Sequence, residues 1–300
     1  MSKLKELENL LTEGKITRRT FIARVSAMGL MTAVSPVLLN SKAVAATPKK
    51  VGKLVMGSAG GSTSDSLEPG TLSHTMPQAI SETIRSELVE VNNKGEAIPE
   101  LAESWEASPD AVKWTFKLRK GVEFHNGKTL DAEDVIYSFN EHRGPDTKSA
   151  AKGIAEPITD IKADGKNIVV FTLKEGNADF PYIASDYHIP VVPKGTKGKE
   201  YEKGIGTGPF VLQSWEPGVR FLGKRNPNYF KSGRPYFDEV EILGITDVNA
   251  RTNALKTGQI HVMNRCEPKT FHLLERAPGV QALKLEGARH YTIPMLTTIK

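Results

Sequence analysis

The chain has 300 residues, 39% of them hydrophobic and 25% charged, with a net charge of +5. This is an ordinary globular composition with enough chain for a sizeable core and about two domains, which excludes a disordered or fibrous protein. A single cysteine, Cys266, excludes an intramolecular disulfide and a cysteine-rich metal site. The basic surplus is local: residues 1–45 hold seven Lys/Arg and three Glu, which leaves 33 basic and 32 acidic residues beyond them. The body therefore lacks the basic excess that a nucleic-acid partner requires.

Residues 4–13 read as a short amphipathic helix. Thr17-Arg18-Arg19-Thr20-Phe21-Ile22 follows, and then residues 26–39 run without a charge. At about 1.5 Å per residue that run spans roughly 21 Å, short of the roughly 30 Å hydrocarbon core of a bilayer. It reads as the apolar region of a signal peptide, broken by Pro36, with Ala43 and Ala45 forming an A-x-A cleavage site. Arg18, Arg19 and Phe21 resemble the twin-arginine export motif, with an ordinary secretory signal as the alternative. No cysteine stands at the cleavage point, so the expectation is a soluble periplasmic protein and not a lipoprotein.

In the body, residues 53–57 predict a strand running into a loop of small residues, 58–65. Apolar positions at Ala79, Ile80, Ile84, Leu88 and Val91 predict a helix over 78–91. Trp114, Phe116 and Leu118 alternate as in a half-buried strand, and 130–142 reads as a helix capped by Asp131. Residues 167–174 predict a strand after an Asp164-Gly165 turn, and Pro190-Val191-Val192-Pro193 reads as extended chain. The Gly- and Lys-rich stretch 194–208 reads as a surface connection before a strand at 210–215. Residues 247–257 predict a helix with Asp247 as N-cap and Gly258 as the residue after its end.

Three motifs superficially suggest catalysis or nucleotide binding. Gly204, Gly206 and Gly208 have the wrong spacing for a dinucleotide fingerprint and precede a strand pattern where a helix is needed. The loop after Gly57 lacks the Lys-Ser/Thr pair of a P-loop; its glycines imply close backbone approach to a ligand or to a neighbouring element. Ser149-Ala150-Ala151-Lys152, Ser185-Asp186 and Lys256-Thr257-Gly258 resemble the penicillin-recognising set only in letters. Ser149 falls in a polar loop and Lys256 at a helix end. The seven histidines are scattered, and none forms an i,i+4 zincin pair with a Glu. No cofactor is expected.

The stretch 98–142 carries the strongest pattern: Pro99, Leu101-Ala102, Ser104-Trp105, Asp110, Trp114, Phe116, Leu118-Arg119, Gly121-Val122, Phe124-His125, Gly127, Ala132, Asp134-Val135 and Tyr137-Ser138. In order and spacing it resembles the extracellular solute-binding proteins of peptide/nickel-type bacterial ABC importers. Gly206-Thr207-Gly208-Pro209-Phe210, Arg225-Asn226-Pro227-Asn228-Tyr229-Phe230, Ala250-Arg251 and Ala254-Leu255-Lys256 with Gly258 extend the likeness over nearly all of 54–300. The chain departs from the pattern at Glu68-Pro69, where the family often has Asp-Pro. It departs again at 84–89, where relatives commonly carry a Tyr before the Leu, and at Gln259-Ile260-His261, where an acidic residue is usual.

The resemblance implies an α/β fold: a two-lobed, type II-like periplasmic binding protein of the three-domain variety, of which lobe one is present. The implied boundaries are a signal peptide at 1–45, lobe one at 46–90 and 205–290, a satellite domain at 91–204, and at 291–300 the start of a crossover to a second lobe that the chain lacks. It further implies a monomer that captures a peptide or similar small solute and passes it to an inner-membrane permease, after export by the twin-arginine translocase. A metal-chelate binder of the same family and a sensory binding protein are the alternatives; an enzyme is not expected. Candidate solute contacts are Gly60, Gly61, Ser62 and Ser64, together with Tyr187, Asn264 and Arg265. Arg265 would suit an anionic group on the solute.

Overall fold

The computed structural model describes residues 52–283, together with isolated positions between residues 6 and 24. The twin-arginine motif, the cleavage site and the segment 291–300 lie outside the described residues.

Strand β1 (Lys53–Ser58) lies inside a five-stranded sheet with β8 (Phe210–Glu216), β9 (Arg220–Arg225), β10 (Glu239–Gly244) and β11 (Val262–Met263), in the order β11-β1-β10-β9-β8. β1 runs parallel to both β10 and β11, whereas β8, β9 and β10 pair antiparallel. Helix α1 (Thr75–Ile84) covers this sheet because Met76, Ile80 and Ile84 repeat at helical spacing and are fully buried against Phe210, Phe221, Val240 and Ile242.

The chain leaves this sheet through a short hairpin, β2 (Val89–Val91) and β3 (Ala97–Pro99), and builds a second sheet. That sheet is β4 (Ala102–Ala107), β5 (Lys113–Leu118), β6 (Ile158–Ala163) and β7 (Ile168–Leu173), ordered β4-β5-β7-β6 and antiparallel throughout. Trp114, Phe116 and Leu118 of β5 alternate inward, as do Val169, Phe171 and Leu173 of β7. Phe116 meets Phe171 edge-on at 5.4 Å, and Phe139 meets Phe171 at 4.8 Å. Trp105 is half-buried and stacks on Phe116 at 6.1 Å.

Phe139 belongs to α2 (Ala132–Asn140), which starts where the sequence says it should. Asp131 accepts from the N–H groups of Glu133 and Asp134, and Asp134 reaches back to the Asp131 N–H, a complete capping box. Helical turns α3 (Lys152–Ala155) and α4 (Phe180–Ile183) complete this half. Helix α5 (Val248–Lys256) and the short α6 (Phe271–Glu275) follow β10 and β11 respectively. Asp247 caps α5 through the Ala250 N–H, and Gly258 follows in the left-handed region at φ +75°.

Two expectations are corrected. The helix expected at 78–91 begins earlier and stops at Ile84; Arg85 is extended at φ −129°, and Leu88 and Val89 serve the hairpin and the second core. The stretch 194–208 is not all surface. It contains a 3₁₀ turn (Gly198–Lys203) with buried Tyr201, and Gly206 to Gly208 pack directly on the end of α1. The Gly208 N–H donates to the Ile84 carbonyl at 3.0 Å, and the Gly208 carbonyl accepts from Asn226 Nδ2 at 3.0 Å.

Candidate functional site

The parallel strands β1, β10 and β11 end together, and the loops that follow them meet at that edge. Ligand crevices in sheets with parallel strands open outside the carboxyl ends of those strands. The site is therefore built from residues 59–66 after β1, 245–247 after β10 and 264–267 after β11.

These loops are fastened by two side chains. Asn264 Oδ1 accepts from the Ala59 N–H at 2.8 Å, and its Nδ2 donates to Ser58 Oγ at 3.3 Å. Arg251, buried on α5, donates to the carbonyls of Ile245 and Thr246 at 2.5 and 2.8 Å, and to that of Arg265 at 3.1 Å. One guanidinium thus binds the loops after β10 and β11, and the same burial lowers its pKa from the usual arginine value.

Gly60 adopts φ +69°, and a Cβ there would lie 2.7 Å from Thr75 Oγ1; its carbonyl accepts the Met76 N–H at 3.0 Å. A Cβ on Gly61 would meet Gly218 Cα at 3.1 Å. Both close approaches are to neighbouring elements, the start of α1 and the β8–β9 turn. Ser62 and Ser64 place two of the loop's hydroxyls 2.9 Å apart at its tip. Asp65 sets that tip by accepting from the Ser62 N–H at 2.8 Å and from His74 Nδ1 at 2.5 Å.

The structure brings Gly60, Gly61, Ser62, Ser64, Asn264 and Arg265 to one edge of the sheet. Arg265 is exposed, at φ +48°. Tyr187 lies elsewhere: half-buried, its ring sits tilted against that of His188 at 3.9 Å and lines a cavity with Glu87. Sequence reasoning missed Asp65, His74, Thr75 and Arg251 as site builders. Arg251 carried the one available signal, a cation inside a helix whose other positions are mostly small or polar. Among the described residues no group of three or more His, Cys, Asp or Glu is placed to hold a metal ion, and no helix is long and apolar enough to cross a membrane.

Residues 96–299 match the family described as bacterial extracellular solute-binding proteins, family 5 Middle. Di/tripeptide-binding protein 1 of Pseudomonas aeruginosa is 27% identical over 84% of this chain and 52% of its own length. The oligopeptide-binding protein AppA of Bacillus subtilis is 30% identical over 75% of this chain and 43% of its own. Among solved structures, the periplasmic binding protein AgaA of A. tumefaciens R10, in complex with agropinic acid, superposes with a TM-score of 0.70 at 28% identity. That match covers 76% of this chain and 46% of AgaA. The chain thus spans about half the length of the relatives it matches.

Proposed function

This chain belongs to the bacterial extracellular solute-binding proteins of family 5, and from that premise we propose that it captures a peptide or similar small solute for an ABC importer. The observation that carries the reading is the convergence of the three loops after β1, β10 and β11, fastened by Asn264 and Arg251 into one preformed edge. Ser62 and Ser64 offer hydroxyls there, Gly60 and Gly61 offer backbone, and Arg265 offers an exposed cation for a carboxylate. A facing lobe completes the clamp, and solute favours the closed form because only that form lets it touch both walls. The closed monomer then delivers the solute to an inner-membrane permease; no bond is made or broken.

The relatives' printed names support a peptide, and the agropinic acid complex of AgaA supports a broader class of small, acid-bearing solutes. Recovery of the protein from the periplasm and mass spectrometry of what it carries tests the reading. Enrichment of short peptides or other small acids, lost in Arg265→Ala, is the expected result; the same small molecules on the wild type and on Arg265→Ala would remove Arg265 from the site. Absence of any enriched solute would overturn the reading itself.

The route to the periplasm is part of the proposal. Arg18, Arg19 and Phe21 address the chain to the twin-arginine translocase, and cleavage follows Ala45. Replacing both Arg18 and Arg19 by Lys is expected to leave the precursor in the cytoplasm; normal periplasmic delivery of that variant would show another route.

A further inference from the structure

We infer that the cavity beside Glu87 is a second binding site, one that takes an organic cation bearing an ammonium or guanidinium group. The cavity measures about 410 Å³ and lies between the end of α1, the β2–β3 hairpin, the loop before His188 and the loop after Asn228. None of the loops after β1, β10 and β11 contributes to it, so the inference stands apart from the solute-capture reading.

Charge is unevenly spread around this cavity. On one side Lys231 lies 2.5 Å from Glu90 and also pairs with the buried carboxylate of Glu100, so its charge is already matched. The other side holds Glu82 and Glu87, and among the described residues neither has a cation in an ion pair. Arg85 stands next to them in sequence but turns its guanidinium away, to the carbonyls of Leu67 at 2.5 Å and Tyr201 at 3.1 Å. Arg234 sits exposed at the rim, over the Tyr236 ring.

Glu87 supplies the independent sign of a missing partner. Its Oε1 is shut off from bulk water and has no hydrogen-bond partner. Burial, reinforced by the nearby carboxylates of Glu82, Glu100 and Asp186, pushes its carboxyl up to about 8. A buried acceptor without a donor, in a field of like charges, is a costly arrangement that a bound cation relieves twice over. The cation brings N–H donors for the carboxylate, and it brings the countercharge.

The class of cation follows from the walls. No three acidic or histidine side chains converge as a metal ion would require among the described residues, and the space is far larger than a single ion fills. Tyr187 and Tyr229 in the wall supply the aromatic surface on which organic cations rest. An extended amine or guanidine satisfies both observations.

Agmatine, which carries both groups and no carboxylate, is the probe, titrated calorimetrically into the full chain near neutral pH in two buffers of different ionisation enthalpy. The ionisable side chains around Glu87 are Glu82, Arg85, Glu90, Glu100, Asp186, Tyr187, Tyr229, Lys231 and Arg234. Because Glu87 is held protonated when the cavity is empty, binding is expected to release a proton, seen as a buffer-dependent heat. Glu87→Gln is expected to weaken binding about tenfold or more, the loss of one buried charge-assisted contact, and to reduce the proton release to what Glu100 contributes. No binding of agmatine, or equal affinity in Glu87→Gln, would overturn the site. Should Glu87→Gln fail to fold by circular dichroism, Glu82→Gln decides by the same titration: weaker binding supports the site and unchanged affinity overturns it.

Discussion

Asn264 reaches across 205 residues of sequence to the backbone of Ala59, accepting its N–H at 2.8 Å. The contact joins the loop after β11 to the loop after β1, the two segments that carry most of the candidate solute contacts. Ala59 is buried, so no water replaces the bond if it is lost.

Asn264→Ala should therefore destabilise the domain by about 1–2 kcal/mol, the cost of a buried donor left without an acceptor. For a domain of this size each kcal/mol lowers the melting temperature by roughly 2–4 °C. Asn264→Asp keeps the acceptor for Ala59 and gives up only the longer bond to Ser58 Oγ, so it should melt above the alanine variant. Circular dichroism melts of the three proteins give the order; an alanine variant as stable as the wild type would show that Ala59 is satisfied by other means.

Gly208 should tolerate no side chain. A Cβ there would stand 2.4 Å from the Ile84 carbonyl carbon and 2.6 Å from the Arg85 nitrogen, both backbone atoms fixed by the end of α1. Gly208→Ala is expected to cost about 3 kcal/mol through forced overpacking. Gly153 is the control: it lies in α3 with nothing within 4 Å of the added carbon, so Gly153→Ala should be neutral or stabilise by about 0.5–1 kcal/mol. Urea unfolding of both variants separates steric cost from helix propensity.

These two glycines show what the sequence made legible and what it did not. Local signals worked: Asp131 and Asp247 cap their helices through bonds to N–H groups within three residues, and the β5 alternation of Trp114, Phe116 and Leu118 is an inward face. The family's long pattern at 98–142 is largely a record of such local demands. Long-range demands were hidden. The glycines at 206 and 208 looked like a solvent-facing connection because nothing near them in sequence reveals that Ile84 and Arg85 press against them. The helix at α1 was overextended because Leu88 continues its period by coincidence, while the true stop at Arg85 is enforced by carbonyl partners as distant as Tyr201. For the site, the glycine–serine loop was visible from its composition, but the bonds from Asn264 and Arg251 that fasten its surroundings were not.

Lys231 should prove structurally costly to remove. Its ammonium pairs with Glu90 and with Glu100, whose side chain is only 7% exposed. Lys231→Met leaves that buried carboxylate without a countercharge and is expected to cost about 3 kcal/mol. Pairing it with Glu100→Met removes the orphaned charge as well, so the double variant should recover most of the loss. A double-mutant cycle by urea unfolding measures this coupling, and additive costs would mean that the two groups act independently.

Stability should vary with pH through buried groups that act in opposite directions, His142 on one side and the carboxyls of Glu87 and Glu100 on the other. His142 is buried, with Nδ1 2.7 Å from Ser149 Oγ, and burial lowers its pKa from 6.5 to about 4. Between those values the unfolded chain binds a proton that the folded one refuses, so stability falls as pH falls through that window. The full shift is worth about 3 kcal/mol at 1.36 kcal/mol per unit. Glu87 behaves in the reverse sense, because its carboxyl is raised from 4.5 to about 8. From about 4.5 upward the unfolded chain loses a proton that the folded chain keeps, and stability declines until Glu87 ionises in the fold. The histidine slope opposes the carboxyl slopes between about pH 4.5 and 6.5; Glu100, raised by burial to about 7, adds to the Glu87 decline until it ionises, and the Glu87 slope continues to about 8. Urea unfolding at about pH 5, 7 and 8.5 should therefore show a decline from 7 to 8.5 in the wild type, most of which Glu87→Gln removes. His142→Gln should leave that decline intact and make the protein relatively more stable at about pH 5. A decline that persists unchanged in Glu87→Gln would assign it to another group.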